Sequence, residues 1–547
     1  MGEAPVVKQK MVADRPDADH PHPSPRKTAA ILALLVGSQF IIILDVSIVN
    51  VALPSIQRTF HISGSGLQDV VTAYAVAFGG PLMLGGRLAD LVGRRTMFRV
   101  ALVGFGVFSL LCGFAPSGGA LILARGLQGL SASLLAPSAL GLLTSTFSEG
   151  AARVHALSRF GAATMLGSLS GLVVGGVLIT FAGWRSIFFV NGPITIVMTV
   201  AAGRLLTPDR THRGERVPLV ALLRTLDLIG ACLVTVGLSV VVFALNIGSV
   251  RGWESTEFLL LIVLGCALLV AFVITQGHTR QPLLRFKLME IETVRSGVIL
   301  IFIFGVVGGA SGLTMNLFLQ NVLHYTPLQG GLALVPQGIV GFIVSRFSVR
   351  VFTVCGLRWT LCMSFAATAV VIAVVSSLIS KDQTYVVLLP CFVVLGGSQV
   401  ISTIGATMST SLGVPAKELG VAGAMRQTSF QVGFALGVAV FASLAATRTH
   451  ELVADGLSML NALDAGYRLT YRGIAIVSGC GSIVAIMGLR HQAPRGRGRS
   501  GLDIRSSGQS DLPRLTGLDK PMTSPDAMTL TPKSGPPEVP PVSSTRW

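Results

Sequence analysis

Long apolar segments alternate with short polar ones along most of this 547-residue chain. Each apolar segment holds about 18 residues or more, which is enough for an α-helix to cross the hydrocarbon core of a bilayer. We place fourteen predicted spans near residues 28–54, 66–89, 97–115, 119–145, 156–182, 186–206, 226–246, 257–276, 293–320, 328–352, 358–379, 384–413, 419–446 and 469–490. The pattern therefore predicts an all-α polytopic membrane protein.

The two ends of the chain are polar. Residues 1–27 are predicted to form a cytoplasmic tail without a cleavable signal, so the first span should remain as an anchor. Residues 491–547 are rich in proline, serine and threonine, a composition typical of a disordered tail.

Basic residues are distributed unevenly between the polar segments, although the formal net charge is +17. If the N-terminus is cytoplasmic, most arginines and lysines fall on the inner side. The outer side receives only Arg58, Arg185, Arg251, Lys381, Arg448, Arg468 and Arg472. This asymmetry predicts a plasma-membrane protein with both termini in the cytoplasm. A basic inner face against anionic lipid explains the charge, so we expect no nucleic-acid partner.

Signals for enzyme chemistry are missing from the sequence. The seven cysteines form no C-x-x-C pair, and no cysteine and histidine residues have metal-ligand spacing. No Walker A motif for ATP binding occurs. We therefore expect no catalytic residues, no metal and no cofactor. Energy for uphill transport would have to come from an ion gradient.

Asp45 is an acid inside the otherwise apolar first span. A carboxylate at that depth costs roughly 2.5–3.5 kcal/mol on insertion scales, so it usually faces a cavity and has a function. Arg125 in span four lies about 9 Å deep and Asp45 about 13 Å deep, at 1.5 Å per residue. The two side chains are therefore predicted to pair directly or to share a water molecule. The pair would serve as a proton switch or as a permanent buried ion pair.

The polar loop between spans two and three contains Asp90, Gly93 and Arg94. Gly93 permits a sharp turn, and arginines anchor it at the lipid surface. Asp90 lies near the C-terminal end of its helix, where the helix dipole disfavours a negative charge. We therefore expect a neighbouring arginine or another helix N-terminus to stabilise Asp90, in a bond that changes with conformation or in a static turn.

Two further patterns concern contacts between helices. Span five carries a glycine stripe that allows another helix to approach closely, either as a hinge or as a static contact. Its members are Gly167, Gly171, Gly175 and Gly176. In the outer part of span nine, Asn316 and Gln320 present amides that would bind a ligand or form hydrogen bonds between helices.

Together these motifs resemble the major facilitator superfamily, specifically its fourteen-span drug:proton antiporters of the EmrB/QacA type. Residues 44–54 match the motif of that subfamily, and residues 86–95 match the general signature of the superfamily. Residues 125–133 and 167–176 resemble its span-four and span-five motifs. The resemblance covers most of residues 28–490.

The resemblance implies a domain organisation. Two six-helix bundles, at 28–206 and 293–490, would enclose a cavity that opens alternately to each side. Two additional transmembrane helices would lie in a linker at 207–292.

The resemblance also implies roles for individual residues. Asp45 would couple transport to protons, with Arg125 as its partner. Asp90, Gly93 and Arg94 would latch an inner gate. From polarity and family position together, the candidates for the substrate cavity are Asn50, Tyr74, Gln128, Asn316 and Gln320.

Three positions depart from the family pattern. Leu172 replaces a proline in the span-five motif, which weakens the expectation that this helix bends. Ser133 replaces an alanine in span four. Asp69 replaces a tryptophan at the outer start of span two. We interpret Asp69 as a solvated residue at a helix start, or as an acid that attracts cations or shapes proton access.

The expected function is proton-coupled export of hydrophobic or amphipathic drugs or antibiotics. Its partners would be a hydrophobic or cationic small molecule, protons and the lipid bilayer. Two alternatives remain: a dedicated exporter of one endogenous lipid or antibiotic, and a proton-coupled importer or facilitator.

Overall fold

A computed structural model describes residues 25–62, 64–147, 151–207, 227–279, 286–380, 385–415 and 418–489. These residues form helices and no strands. Thirteen of their helices are long and apolar enough to cross a membrane, and a pair bent by 45° supplies a fourteenth span. The prediction of an all-α protein with fourteen spans is confirmed. The predicted tail at 491–547 and most of the tail at 1–27 lie outside the described residues.

The helices of the first half begin three residues before the first predicted span. They are α1 (Pro25–Phe60), α2 (Gly64–Gly79), α3 (Leu82–Val92), α4 (Arg94–Gly113), α5 (Gly118–Thr146), α6 (Ala151–Ala182), α7 (Ser186–Phe189) and α8 (Asn191–Leu205). The bent pair is α2 with α3. Packing of α1 on α6, and of α5 on α2, α3 and α4, makes these helices one bundle. We call it the N-terminal bundle.

Two long helices come next, and then a second bundle. They are α9 (Leu228–Arg251) and α10 (Thr256–His278), which we call the inserted hairpin. The remaining helices are α11 (Phe286–Met289), α12 (Glu292–Leu317), α13 (Pro327–Cys355), α14 (Leu357–Leu378), α15 (Tyr385–Ser411), α16 (Leu419–Ala454) and α17 (Met459–Gly488). A π-helical turn at Phe318–Val322 extends α12. Helices α12 to α17 pack on one another as the C-terminal bundle.

The predicted limits of the two bundles and the linker stay a prediction. Part of the linker, at 208–226 and 280–285, lies outside the described residues. The inner and outer sides of the molecule are named by the predicted orientation, in which α1 runs outward.

Local sequence explains several helix boundaries. Helix α13 begins with a capping box, in which Thr326 and Gln329 exchange hydrogen bonds and Pro327 occupies the first turn. Ser117 is the N-cap of helix α5, and its hydroxyl accepts a hydrogen bond from the Ala120 N–H. Between α3 and α4, Gly93 has a φ of 112°, which a residue with a side chain rarely adopts. This explains the sharp turn predicted there.

Candidate functional site

Asp45 and Arg125 meet in the interior of the N-terminal bundle. Asp45 is 0% exposed on α1, and Arg125 is 1% exposed on α5. One terminal nitrogen of Arg125 lies 2.6 Å from Oδ2 of Asp45. The pair predicted from depth is therefore present. Because both charges are removed from water, each depends on the other for compensation.

Two amides complete the surroundings of the Asp45 carboxylate. Gln128, one turn from Arg125, donates a hydrogen bond of 2.9 Å to Oδ1 and accepts one of 2.7 Å from Arg125. Asn191 at the start of α8 donates a hydrogen bond of 2.8 Å to the same Oδ1. Its Nδ2 also contacts the Ser109 hydroxyl at 3.0 Å. The site thus joins helices α1, α4, α5 and α8 in one polar network.

Two aromatic rings pack near the Arg125 guanidinium. Its central carbon lies 4.2 Å from the centre of the Tyr74 ring and 5.9 Å from that of Phe188. A cation is attracted to the face of an aromatic ring, more strongly where water is excluded. Nε of Arg125 also donates a hydrogen bond of 3.4 Å to the Val70 carbonyl. These contacts fix both the position and the plane of the guanidinium.

Three of the five cavity candidates lie in contacts between the bundles. Asn316 of α12 donates a hydrogen bond to the backbone carbonyl of Asn50 on α1. Gln320 donates bonds of 3.0 Å to the carbonyl of Val51 and to the side-chain oxygen of Asn316. Tyr74 and Gln128, the other two candidates, are buried around Arg125. A role of these residues in lining a cavity stays a prediction.

Other contacts between the bundles also lie toward the outer side. Gln68, near the outer start of α2, donates a hydrogen bond of 3.3 Å to Ser443 on α16. At Gly176 on α6, an added Cβ would lie 2.7 Å from the Cα of Leu328, near the outer start of α13. Together with the Asn316 and Gln320 bonds, these contacts join the outer halves of the two bundles. We call this set of contacts the outer seal.

The predicted inner latch is assembled within the N-terminal bundle. Arg94 donates a hydrogen bond of 2.9 Å to the Asp90 carboxylate and another of 2.9 Å to the Gly141 carbonyl on α5. Asp90 is therefore stabilised by a neighbouring arginine, as one of the two predicted alternatives requires. The side chain of Asp90 is largely exposed in this conformation. Its role in gating stays a prediction.

Three members of the glycine stripe of α6 pack against α1, whereas Gly176 packs against α13. An added Cβ at Gly167 would lie 2.8 Å from the Phe40 carbonyl oxygen, and one at Gly171 would lie 2.5 Å from the Cβ of Ser47. One at Gly175 would lie 2.7 Å from a side-chain carbon of Ile48. The predicted close approach is present. Helix α6 is continuous through the stripe, although Leu172 replaces the motif proline.

Asp69 lies in a different environment from a solvated helix start, so that interpretation is wrong. The residue is half-buried on α2, and its Oδ2 accepts a hydrogen bond of 2.6 Å from the Asn246 amide. Asn246 belongs to α9 of the inserted hairpin. Sequence reasoning missed this contact because nothing in the sequence shows where the hairpin docks.

Sequence reasoning also missed Asn191 as a member of the site. An amide in an apolar span was the available signal, since polar residues at that depth usually bond to another helix. No group of three or more potential metal ligands occurs in the part of the chain that the structure describes.

Comparison with known proteins identifies the fold. The POT family transporter PepTSo superimposes with a TM-score of 0.62 at 15% identity, over 85% of this chain and 98% of that one. A bacterial homologue of the human lysosomal transporter Spinster, in an inward-facing and occupied conformation, gives a TM-score of 0.60 at 12% identity. That match covers 86% of this chain and 97% of the other.

Other proteins are more similar to this chain in sequence identity. The puromycin resistance protein pur8 of Streptomyces alboniger is 35% identical over 79% of this chain and 84% of its own length. The cephamycin export protein CmcT of Amycolatopsis lactamdurans is 32% identical over 82% of this chain and 91% of its own. The sequence model of the Major Facilitator Superfamily matches residues 35–438. The chain therefore belongs to the Major Facilitator Superfamily.

Proposed function

We propose that this protein exports hydrophobic or amphipathic drugs or antibiotics from the cytoplasm in exchange for protons. The observation that carries the proposal is the buried network around Asp45, in which an acid and an arginine compensate each other inside the membrane. The names of similar proteins support the choice of substrate, because they include resistance and export proteins for puromycin, cephamycin and tetracenomycin. The protein would lie in the plasma membrane with both termini in the cytoplasm.

In the proposed cycle, Asp45 takes up a proton from the outer side. Protonation removes its attraction to Arg125 or to a bound cation, and substrate leaves outward. The bundles then rock, the proton passes to the cytoplasm, and new substrate binds. In this cycle, a conformation that carries the outer seal would be closed toward the outer side.

The charge of the substrate decides the driving force. Each elementary charge that moves down the membrane potential supplies about 2.3 kcal/mol per 100 mV. Exchange of one proton for a monovalent cation moves no net charge, so only the pH difference would drive it. A neutral substrate would make the same cycle depend on the membrane potential as well.

Replacement of Asp45 by asparagine tests the proposal in proteoliposomes. Asp45→Asn keeps the volume and one hydrogen-bond acceptor but cannot exchange a proton. We expect an imposed pH gradient to drive no uphill efflux of ethidium, a fluorescent cation, by this variant. Counterflow of labelled against unlabelled ethidium without a gradient should persist, which would show that the variant folds and binds. Undiminished uphill efflux would exclude Asp45 as the coupling acid.

A second candidate is dedicated export of one endogenous antibiotic. It is favoured by the relatives whose names each refer to a single antibiotic. The two candidates share one mechanism and differ in the breadth of compounds that the reconstituted protein moves.

A further inference from the structure

The two helices of the inserted hairpin are joined to each other at both ends. At the inner end, Asp227 caps α9 through the Gly230 N–H and accepts a hydrogen bond from Gln276 on α10. At the outer end, Arg251 forms an ion pair with Glu257. The hairpin is therefore a unit, and whatever holds α9 also holds α10.

Helix α9 is fastened to α2 by polar and close contacts. The Asn246 amide donates its 2.6 Å hydrogen bond to Asp69. Eleven residues away along each chain segment, Gly80 directly follows α2 and lies so close to α9 that an added Cβ would be 3.1 Å from the Cβ of Thr235. At 1.5 Å per residue, these two contacts are about 16 Å apart along the helices. Helix α9 is thus held to the N-terminal bundle at two levels.

The contact of α9 with the C-terminal bundle has a different character. Val234, Leu238 and Val242 of α9 share an apolar cluster with Ala435 and Ala439 of α16. No side-chain hydrogen bond joins α9 to α16 among the described residues, so this contact is apolar. Apolar contact of this kind is non-directional, so it tolerates displacement better than a hydrogen bond does. Helix α9 is therefore held to α2 by a directional hydrogen bond as well as by apolar contact, but to α16 by apolar contact alone.

We propose that the Asp69–Asn246 hydrogen bond fixes the inserted hairpin to the N-terminal bundle, so that α9 moves with α2 while α16 slides along α9. Asp69 and Asn246 are then positioning residues of the transport cycle, and the hairpin is a guide for the motion of the C-terminal bundle. The inference rests on the proposed alternation of the bundles. The inserted hairpin would keep α2 and α16 aligned while the outer seal opens.

Three spin-label sites test the proposal in the full-length protein. All seven native cysteines are first replaced. Two new cysteines are then introduced at a time, at two of three exposed positions near the outer side. These are Leu123 in the N-terminal bundle (68% exposed), Val250 in the hairpin (55%) and Val453 in the C-terminal bundle (41%). Pulsed electron paramagnetic resonance then gives the pairwise distances in nanodiscs, in acidic and alkaline buffer, with and without ethidium.

We expect the distance from Leu123 to Val250 to stay constant under all conditions. The distances from Val453 to the other two labels should change together by several ångströms. If the Val250–Val453 distance is constant and the Leu123–Val250 distance changes, the hairpin belongs to the C-terminal bundle and the proposal is overturned. If the Leu123–Val453 distance never changes, the alternation itself fails, and the proposed function falls with the sliding motion.

Substitutions of Asp69 and Asn246 test whether their hydrogen bond holds the hairpin in place or only stabilises the folded protein. Asp69→Leu and Asn246→Leu should each broaden the Leu123–Val250 distance distribution and slow transport. Asp69→Asn keeps an oxygen that accepts from the Asn246 amide, so it should restore the narrow distribution. Equal distributions for Asp69→Leu, Asp69→Asn and the unchanged protein would overturn the role of the bond.

Discussion

Asp45 and Arg125 have almost no exposed surface, and neighbouring side chains supply the hydrogen bonds that water would otherwise make. Gln128 and Asn191 donate to the carboxylate, while Tyr74 covers a face of the guanidinium. A buried charge that loses its partner carries a large desolvation cost, whereas removal of both charges is often tolerated. The free energy of unfolding should therefore respond differently to single and double substitution at this pair.

Arg125→Gln should lower stability by about 3–5 kcal/mol, because it leaves Asp45 charged and unpaired in the bundle interior. Asp45→Asn/Arg125→Gln should recover much of this loss, since no charge remains. Thermal denaturation in detergent, combined with the Asp45→Asn single variant, completes the double-mutant cycle. Additive effects would show that the ion pair does not couple the two positions. Proton-driven transport should be absent from the double variant although its fold is restored.

The contact between α1 and α6 is one of the most extensive helix contacts in the N-terminal bundle. Gly167, Gly171 and Gly175 let the two backbones approach, as the spacing of the glycines predicts. The same helix also carries Gly161, which has no neighbouring atom within 4 Å of an added Cβ. Helix α6 therefore contains a closely packed glycine, Gly171, and a glycine without close neighbours, Gly161, which serves as its control.

Gly171→Ala should destabilise the protein by about 1–3 kcal/mol, the usual cost of overpacking. The added methyl group would meet Ser47 and the Leu44 carbonyl oxygen, at 2.5 and 3.0 Å. Gly161→Ala adds the same group to open space, and alanine is the better helix former by about 1 kcal/mol. Thermal stability of the two variants in detergent measures the difference. Equal midpoints would contradict a tight seam at Gly171.

The helices and the Asp45–Arg125 pair could be predicted from the sequence because their signals are local. Apolar length determines a span, and residue count gives the depth of each charge. The partners Asn191 and Asn246 could not be predicted in this way, since they meet Asp45 and Asp69 through tertiary packing across more than a hundred residues. Asn316 and Gln320 are intermediate cases. Their chemistry is evident in the sequence, but only the structure, which places them against α1, separates helix contact from ligand binding in this conformation.

At the scale of the whole molecule, the outer seal joins two bundles that alternating access must separate. Asn316 and Gln320 supply its hydrogen bonds between α12 and α1. Hydrogen bonds between membrane helices contribute about 0.6 kcal/mol on average and up to about 1.7. A seal of this strength holds one conformation without trapping the protein in it.

Asn316→Ala/Gln320→Ala should shift the conformational equilibrium toward outward opening by about 1–2 kcal/mol, or a factor of about 5 to 30. The Leu123–Val453 label pair measures the shift as an increased population at the longer distance. Asn50→Ala is the matched control, because Asn50 accepts through its backbone carbonyl and the substitution keeps that group. If Asn50→Ala opens the outer side as much as the double variant does, the assigned donors and acceptors are wrong.

The acceptors of the outer seal on α1 are main-chain oxygens, and this gives the two sides of the contact unequal evolutionary freedom. Mutation cannot delete a peptide carbonyl, so the closure does not depend on which side chains stand at Asn50 and Val51. The donors Asn316 and Gln320 differ in this respect, because substitution of either side chain removes its hydrogen bond. A substitution that weakens the closure should therefore arise at the amides of α12 rather than at their acceptors on α1.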